Sequence, residues 1–198
     1  VLVDGAHAPG QVPLDLATLA ADWYVGNCHK WLCAPKGSGF LWAAPARQAG
    51  LHPAVISYGY GQGFVAEFDW TGTRDPSAFL AVPAALDFCD RLGGAALAAR
   101  NRALAGAAGA WLAERLDTET GAEGATAGSM ATVRMPLAGL VTQARVATLA
   151  ERLLAAGTDA PAQLIDGAAW LRLSAHAYNT MDDYDRLAAI LARVLPAC

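Results

Sequence analysis

The hydrophobic pattern changes character along the chain. Near its start the apolar positions form short, unbroken runs, at Val1–Asp4, Asp22–Gly26 and Gly39–Ala43. Runs of this length without polar alternation predict strands of a sheet covered on both faces. Residues 13–21 read as a short turn and helix. Residues 44–75 carry Pro45, Gly50, Pro53, Gly59, Gly61, Gly63 and Gly72 and read as loop. A helix then opens at Pro76, with Asp75 placed to cap it, and stops near Leu92 at Gly93-Gly94. An alanine-rich helix follows over 95–116, apolar at Leu97, Leu104, Ala108 and Leu112. Small residues make a linker of 121–128.

Beyond the linker the order is strand 130–135, helix 142–156, strands 162–165 and 169–174, and helix 182–194. That order predicts a small α+β unit. The chain thus reads as α/β overall, with a first part over 1–92, a bridging helix and linker over 93–124, and a small α+β domain over 125–198.

Composition narrows the classes. Apolar side chains make up 55% of the 198 residues and charged ones 16%, which excludes a disordered chain. The net charge of −4, with no basic block, gives no footprint for nucleic acid. No apolar run approaches the roughly 20 residues of a membrane span, and the start lacks the cationic lead of a signal peptide. Cysteines at 28, 33, 89 and 198 form no C-x-x-C pair and suit a reducing cytosol, so a cytoplasmic protein is expected. A strand at the first residue also predicts that the sequence starts mid-domain, as a fragment.

Lysine usage points to the chemistry. Of the fourteen basic residues twelve are arginine, and only Lys30 and Lys36 carry a primary amine. Lys30 sits between His29 and Trp31 after the second strand. A desolvated amine there would be a carbonyl nucleophile; the alternative is a lysine snorkelling over Trp31. Asp4 ends the first strand, where open α/β sheets place ligands, or is a turn aspartate. Thr71-Gly72-Thr73-Arg74-Asp75 precedes a helix and suits an anion as well as a cap. Arg172, between leucines, should meet a carboxylate, from a structural salt bridge or from a substrate. The glycine clusters at 35–39 and 58–63 have the wrong spacing for a P-loop or a dinucleotide fingerprint. His7, Cys28, His29 and Cys33 match no zinc pattern, so no metal is expected. Cys89 reads as core.

Four stretches resemble the fold-type I, pyridoxal-phosphate-dependent class V aminotransferase superfamily, and within it the isopenicillin-N-epimerase-like branch. They are Val3–Gly10 (VDGAHAPG), Gly26–Gly37 (GNCHKWLCAPKG), Gly72–Ala78 (GTRDPSA), and Leu171–Ser174 (LRLS) with Tyr178-Asn179-Thr180. The resemblance implies the second half of the large mixed-sheet domain followed by the small C-terminal domain. It implies pyridoxal 5'-phosphate as cofactor and Lys30 as the Schiff-base lysine that later shuttles the α-proton. Asp4 would pair with the pyridinium nitrogen. His7 would stand near the phenolic oxygen, and Asn27 and His29 near the phosphate. Thr73 would be lent to a neighbouring subunit's phosphate, making a homodimer, and Arg172 would clamp the substrate carboxylate.

The expected activity is that of an epimerase (isomerase) or an aminotransferase (transferase) acting at the α-carbon of an amino acid. Alternatives are a carbon–sulfur lyase and an inactive, associating module. No cysteine lies between Cys89 and Cys198, which disfavours a desulfurase working through a protein persulfide.

Overall fold

The computed structural model describes residues 1–121 and 128–197, so most of the expected linker lies outside the described residues. The chain divides into two compact units, Val1–Ala95 and Ala96–Cys198; each is described by itself.

The first unit holds a sheet in the order β1 (Leu2–Asp4), β2 (Trp23–Asn27), β3 (Gly39–Ala43). β1 and β2 are parallel, with Asp4 opposite Val25. β2 and β3 are antiparallel, with Asn27 opposite Gly39. Only β2 meets the expectation of cover on both faces: Tyr24 is 1% exposed, while Leu2 is 65% exposed. β1 lies at the end of the sheet order, with a strand neighbour on one side alone among the described residues.

Parallel strands need a crossover, usually a helix. Here residues 5–22 cross over through turns, and the helix expected within 13–21 does not form. The Asp15 carboxylate accepts the Ala17 N–H at 3.0 Å and its carbonyl accepts the Thr18 hydroxyl at 3.3 Å. Such local bonds compete with helical ones, and Ala20 is left-handed at φ 54°.

Two further expectations change. The loop 44–75 contains a short helix, α1 (Phe64–Asp69), on which the Phe64 and Phe68 rings lie 4.8 Å apart. The helix expected over 76–92 is two helices, α2 (Ser77–Leu80) and α3 (Val82–Arg91). Pro83 has no N–H to bond the preceding turn, and its ring crowds the carbonyl four residues back. Asp75 does accept the Ser77 N–H at 2.9 Å. Besides Ala21, Tyr24 and Ala43, the buried apolar residues of this unit form one small cluster: Cys28, Ala34 and Ala85, with Leu32, Phe40 and Val82 against them. Cys89, expected in the core, is half-buried instead.

The second unit contains α4 (Gly94–Leu116, which starts just ahead of it), β4 (Met130–Arg134), α5 (Gln143–Ala155), β5 (Ala162–Ile165), β6 (Ala168–Ser174) and α6 (Met181–Val194). The sheet order is β4-β6-β5, all antiparallel. β5 and β6 are joined by Asp166-Gly167 at φ 49° and 76°, the positive-φ pair that a two-residue hairpin requires. Alternation on β6 buries Ala169, Leu171 and Leu173 against α4, α5 and α6, with Leu112, Leu149, Leu153 and Leu191 fully buried. Trp170 and Arg172 therefore take the opposite face. Thr142 caps α5 by accepting the Arg145 N–H at 3.3 Å, and Thr180 and Asp183 form a capping box on α6. Among the described residues no helix is long and apolar enough to cross a membrane.

Candidate functional site

Because β1 and β2 run parallel, their carboxyl ends share one edge of the sheet. Asp4 ends β1, exposed, and its carboxylate accepts the Ala6 N–H at 3.1 Å. The next residue locks that strand end. Gly5 N–H bonds the Val25 carbonyl at 2.9 Å, and the Tyr24 hydroxyl donates to the Gly5 carbonyl at 3.2 Å. A Cβ on Gly5 would lie 2.0 Å from the Tyr24 ring, so only glycine fits. Burial pushes the Tyr24 phenol above its ordinary 10, and the Asp4 charge adds to this.

Asn27 ends β2, and the following residues fold into a lobe around one carbonyl. The Ser38 carbonyl accepts the N–H groups of Cys28 at 3.1 Å and His29 at 3.4 Å. It also accepts from His29 Nδ1 at 2.7 Å. A carbonyl only accepts, so Nδ1 carries a proton and Nε2 is the nitrogen left to face a ligand. Within this lobe Lys30 is half-buried, and its carbonyl accepts the Cys33 N–H at 3.4 Å.

One contact ties the two loops together. Trp31 Nε1 donates to His7 Nδ1 at 3.2 Å. An indole can only donate, so in the neutral His7 ring the proton sits on Nε2. Gly10, at φ 85°, lies against the Trp31 carbonyl, where a Cβ would stand 2.6 Å away. Asp4, His7, Asn27, His29 and Lys30 thus gather on one sheet edge.

Thr73 is not joined to them by any hydrogen bond among the described residues. It is exposed, beside Arg74, whose guanidinium stacks 5.0 Å over the Phe79 ring. Trp70, Arg74 and Phe79 line a cleft of about 500 Å³ with Leu41, Phe64 and Phe68. Trp31, Ser38, Gly5 and Gly10 were not singled out by the sequence reading. Their signal was position: Trp31 follows the rare lysine, and the two glycines bracket His7.

In the second unit Arg172 stands opposite Thr132 on the outer face of the sheet. Its Nε is buried without a hydrogen-bond partner, and among the described residues no carboxylate pairs with it. A buried guanidinium nitrogen without a partner costs free energy that pairing would recover.

A parallel strand pair with its polar residues at the carboxyl edge, followed by a small α+β unit, makes this a mixed α/β protein. The whole chain superposes with a TM-score of 0.77 on an apo cysteine desulfurase from Thermococcus onnurineus NA1, at 16% identity and over 52% of that protein. It is 37% identical to isopenicillin N epimerase of Streptomyces clavuligerus over 96% of this chain and 51% of the relative. It is 33% identical to the putative L-cysteine desulfhydrase 2 of Oryza sativa subsp. japonica over 98% of this chain and 46% of the relative. Residues 1–187 match aminotransferase class-V, and the chain belongs to that family. It spans about half the length of these relatives.

Pyridoxal phosphate is the cofactor of this family. The donor set suits it. A carboxylate, an amine and two imidazoles stand on one edge of the first unit's sheet.

Proposed function

We propose that, in the protein that carries this chain, these residues form part of a pyridoxal-phosphate site at which an amino acid reacts at its α-carbon, by epimerisation or transamination. The observation that supports this most is the placement of Asp4 at the end of β1 and of Lys30 in the lobe that follows the end of the adjacent parallel strand β2. The bound cofactor supplies an electron sink for the pair left at the substrate α-carbon. Lys30 Nζ holds the cofactor covalently and moves the α-proton. The Asp4 carboxylate keeps a proton on the ring nitrogen. His7 Nε2–H donates to the phenolic oxygen, with Trp31 fixing the ring that offers it. Asn27 and His29 hold the phosphate, and Thr73 does so across a homodimer. Arg172 binds the substrate carboxylate as a bidentate fork.

Carbon–sulfur lysis is a second reading, favoured by the likeness to the rice protein. No cysteine lies between Cys89 and Cys198, which supports direct release of sulfur in that reading.

The test is turnover of amino acids in deuterium oxide. Deuterium at Cα without keto acid means epimerisation, and keto acid means transamination. Pyruvate with released sulfide from cysteine establishes the lyase instead. A Lys30→Ala variant with undiminished turnover would falsify the lysine assignment.

A further inference from the structure

Cys33 and Cys89 come from distant parts of the first unit and converge on one carbonyl. Cys33 Sγ lies 4.0 Å from the Trp31 oxygen. Cys89 Sγ, on α3, lies 3.9 Å from the same oxygen and 3.3 Å from that of Leu32. Both Sγ atoms thus lie within 4.0 Å of one oxygen, that of Trp31. Cys33 is exposed and Cys89 half-buried, while Cys28 is buried in the small core.

We propose that Cys33 and Cys89 are a dithiol pair that closes to an intramolecular disulfide by exchange with a small disulfide such as oxidised glutathione, tying the Lys30 turn to α3. The exposed Cys33 reacts first. Its thiolate attacks one sulfur of glutathione disulfide, forms a mixed disulfide and expels one glutathione thiolate. The Cys89 thiolate then attacks Cys33 Sγ, forms the Cys33–Cys89 bond and expels the second glutathione thiolate. Two protein thiols are oxidised, one glutathione disulfide is reduced to two thiols, and the two cysteine protons pass to the released thiolates.

The order of events follows from the surroundings. Burial first, and the neighbouring Cys33 charge next, push the Cys89 thiol up to about 11, with Asp90 adding. Cys89 is therefore a poor first attacker. Capping Cys33 removes the charge that opposes Cys89 ionisation, so the first step promotes the second. Because the Lys30 carbonyl bonds the Cys33 N–H, the new bond restrains the segment that carries the amine.

The experiment uses the full chain with Cys198→Ser, which removes the C-terminal thiol from the exchange. It is incubated with oxidised glutathione, alkylated, and mapped without reduction. Before alkylation the expected product is lighter by two hydrogens than the starting protein, and its map shows one cross-linked peptide pair, Cys33 to Cys89, with Cys28 in no disulfide. Cys89→Ser should instead trap glutathione on Cys33. A lasting glutathione adduct on Cys33 while Cys89 remains alkylatable would overturn the proposal. So would a disulfide that recruits Cys28.

Discussion

At the residue after Asp4, an alanine would drive its methyl group into the Tyr24 ring. Gly5→Ala is therefore expected to cost about 2 kcal/mol or more in urea unfolding, the overpacking penalty of a site that cannot relax. A second residue-scale expectation concerns pH. Glu67 is buried and accepts from His52 Nδ1 at 2.5 Å and from the Gly61 N–H at 3.1 Å. The His52 bond holds its carboxyl below the ordinary 4.5, the Gly61 bond adding and burial opposing. The unfolded chain thus takes up this proton at higher pH than the folded one. The stabilisation is complete above 4.5 and is lost as the pH falls through the folded value. Wild type should lose stability more steeply than Glu67→Gln on acidification from about pH 6 to about pH 3; parallel slopes would refute the role of Glu67. At this scale the candidate site was legible where residue types were rare or marked a strand end, as with Lys30 and Asp4. The Trp31–His7 bond was not, because it joins residues 24 apart, and only the parallel register of two strands brings them together.

At the scale of elements, the sequence pattern recovers strands and helices whose periodicity agrees with their tertiary setting. β3 and β5 match their expected bounds, and α5 and α6 lie within a residue of theirs. Errors fall where local chemistry overrides pattern: Asp15 turns the crossover away from helix, and Pro83 splits α2 from α3. A Phe–Phe pair four residues apart forms α1 inside a stretch read as loop from its glycines. Leu149 of α5 is fully buried against β6, whereas Leu154 on the same helix is 65% exposed. Leu149→Ala should cost about 2–5 kcal/mol, and Leu154→Ala no more than about 0.5 kcal/mol. Equal losses in paired denaturation curves would contradict the assigned face.

For the whole molecule, the two units differ in what they bury. Among the described residues the second has a cluster of sixteen buried core residues from five elements and the connections between them, while the first unit's cluster has three. In the first, Val55, Ile56, Tyr58, Val65, Trp70 and Leu80 are all exposed. The apolar composition thus announced a core without revealing how unevenly it is shared. Since the relatives are about twice as long, these 198 residues alone are expected to capture pyridoxal phosphate weakly. Titration with the cofactor, borohydride reduction and peptide mapping test this; a saturable absorption band with the label on Lys30 would show capture without further sequence.

The crossover of residues 5–22 has a consequence in solution. With no helix of its own, it lacks the cooperative ladder that would keep it shut independently of its surroundings. Its order rests on single ties such as Gly5 to Val25 and His7 to Trp31, which border the same edge where Asp4 and Lys30 stand. Any ligand that binds only the closed form stabilises that form by mass action. Amide hydrogens between β1 and β2 should therefore exchange rapidly in the free protein and slow as ligand saturates, reporting occupancy from a segment that need not itself touch the ligand.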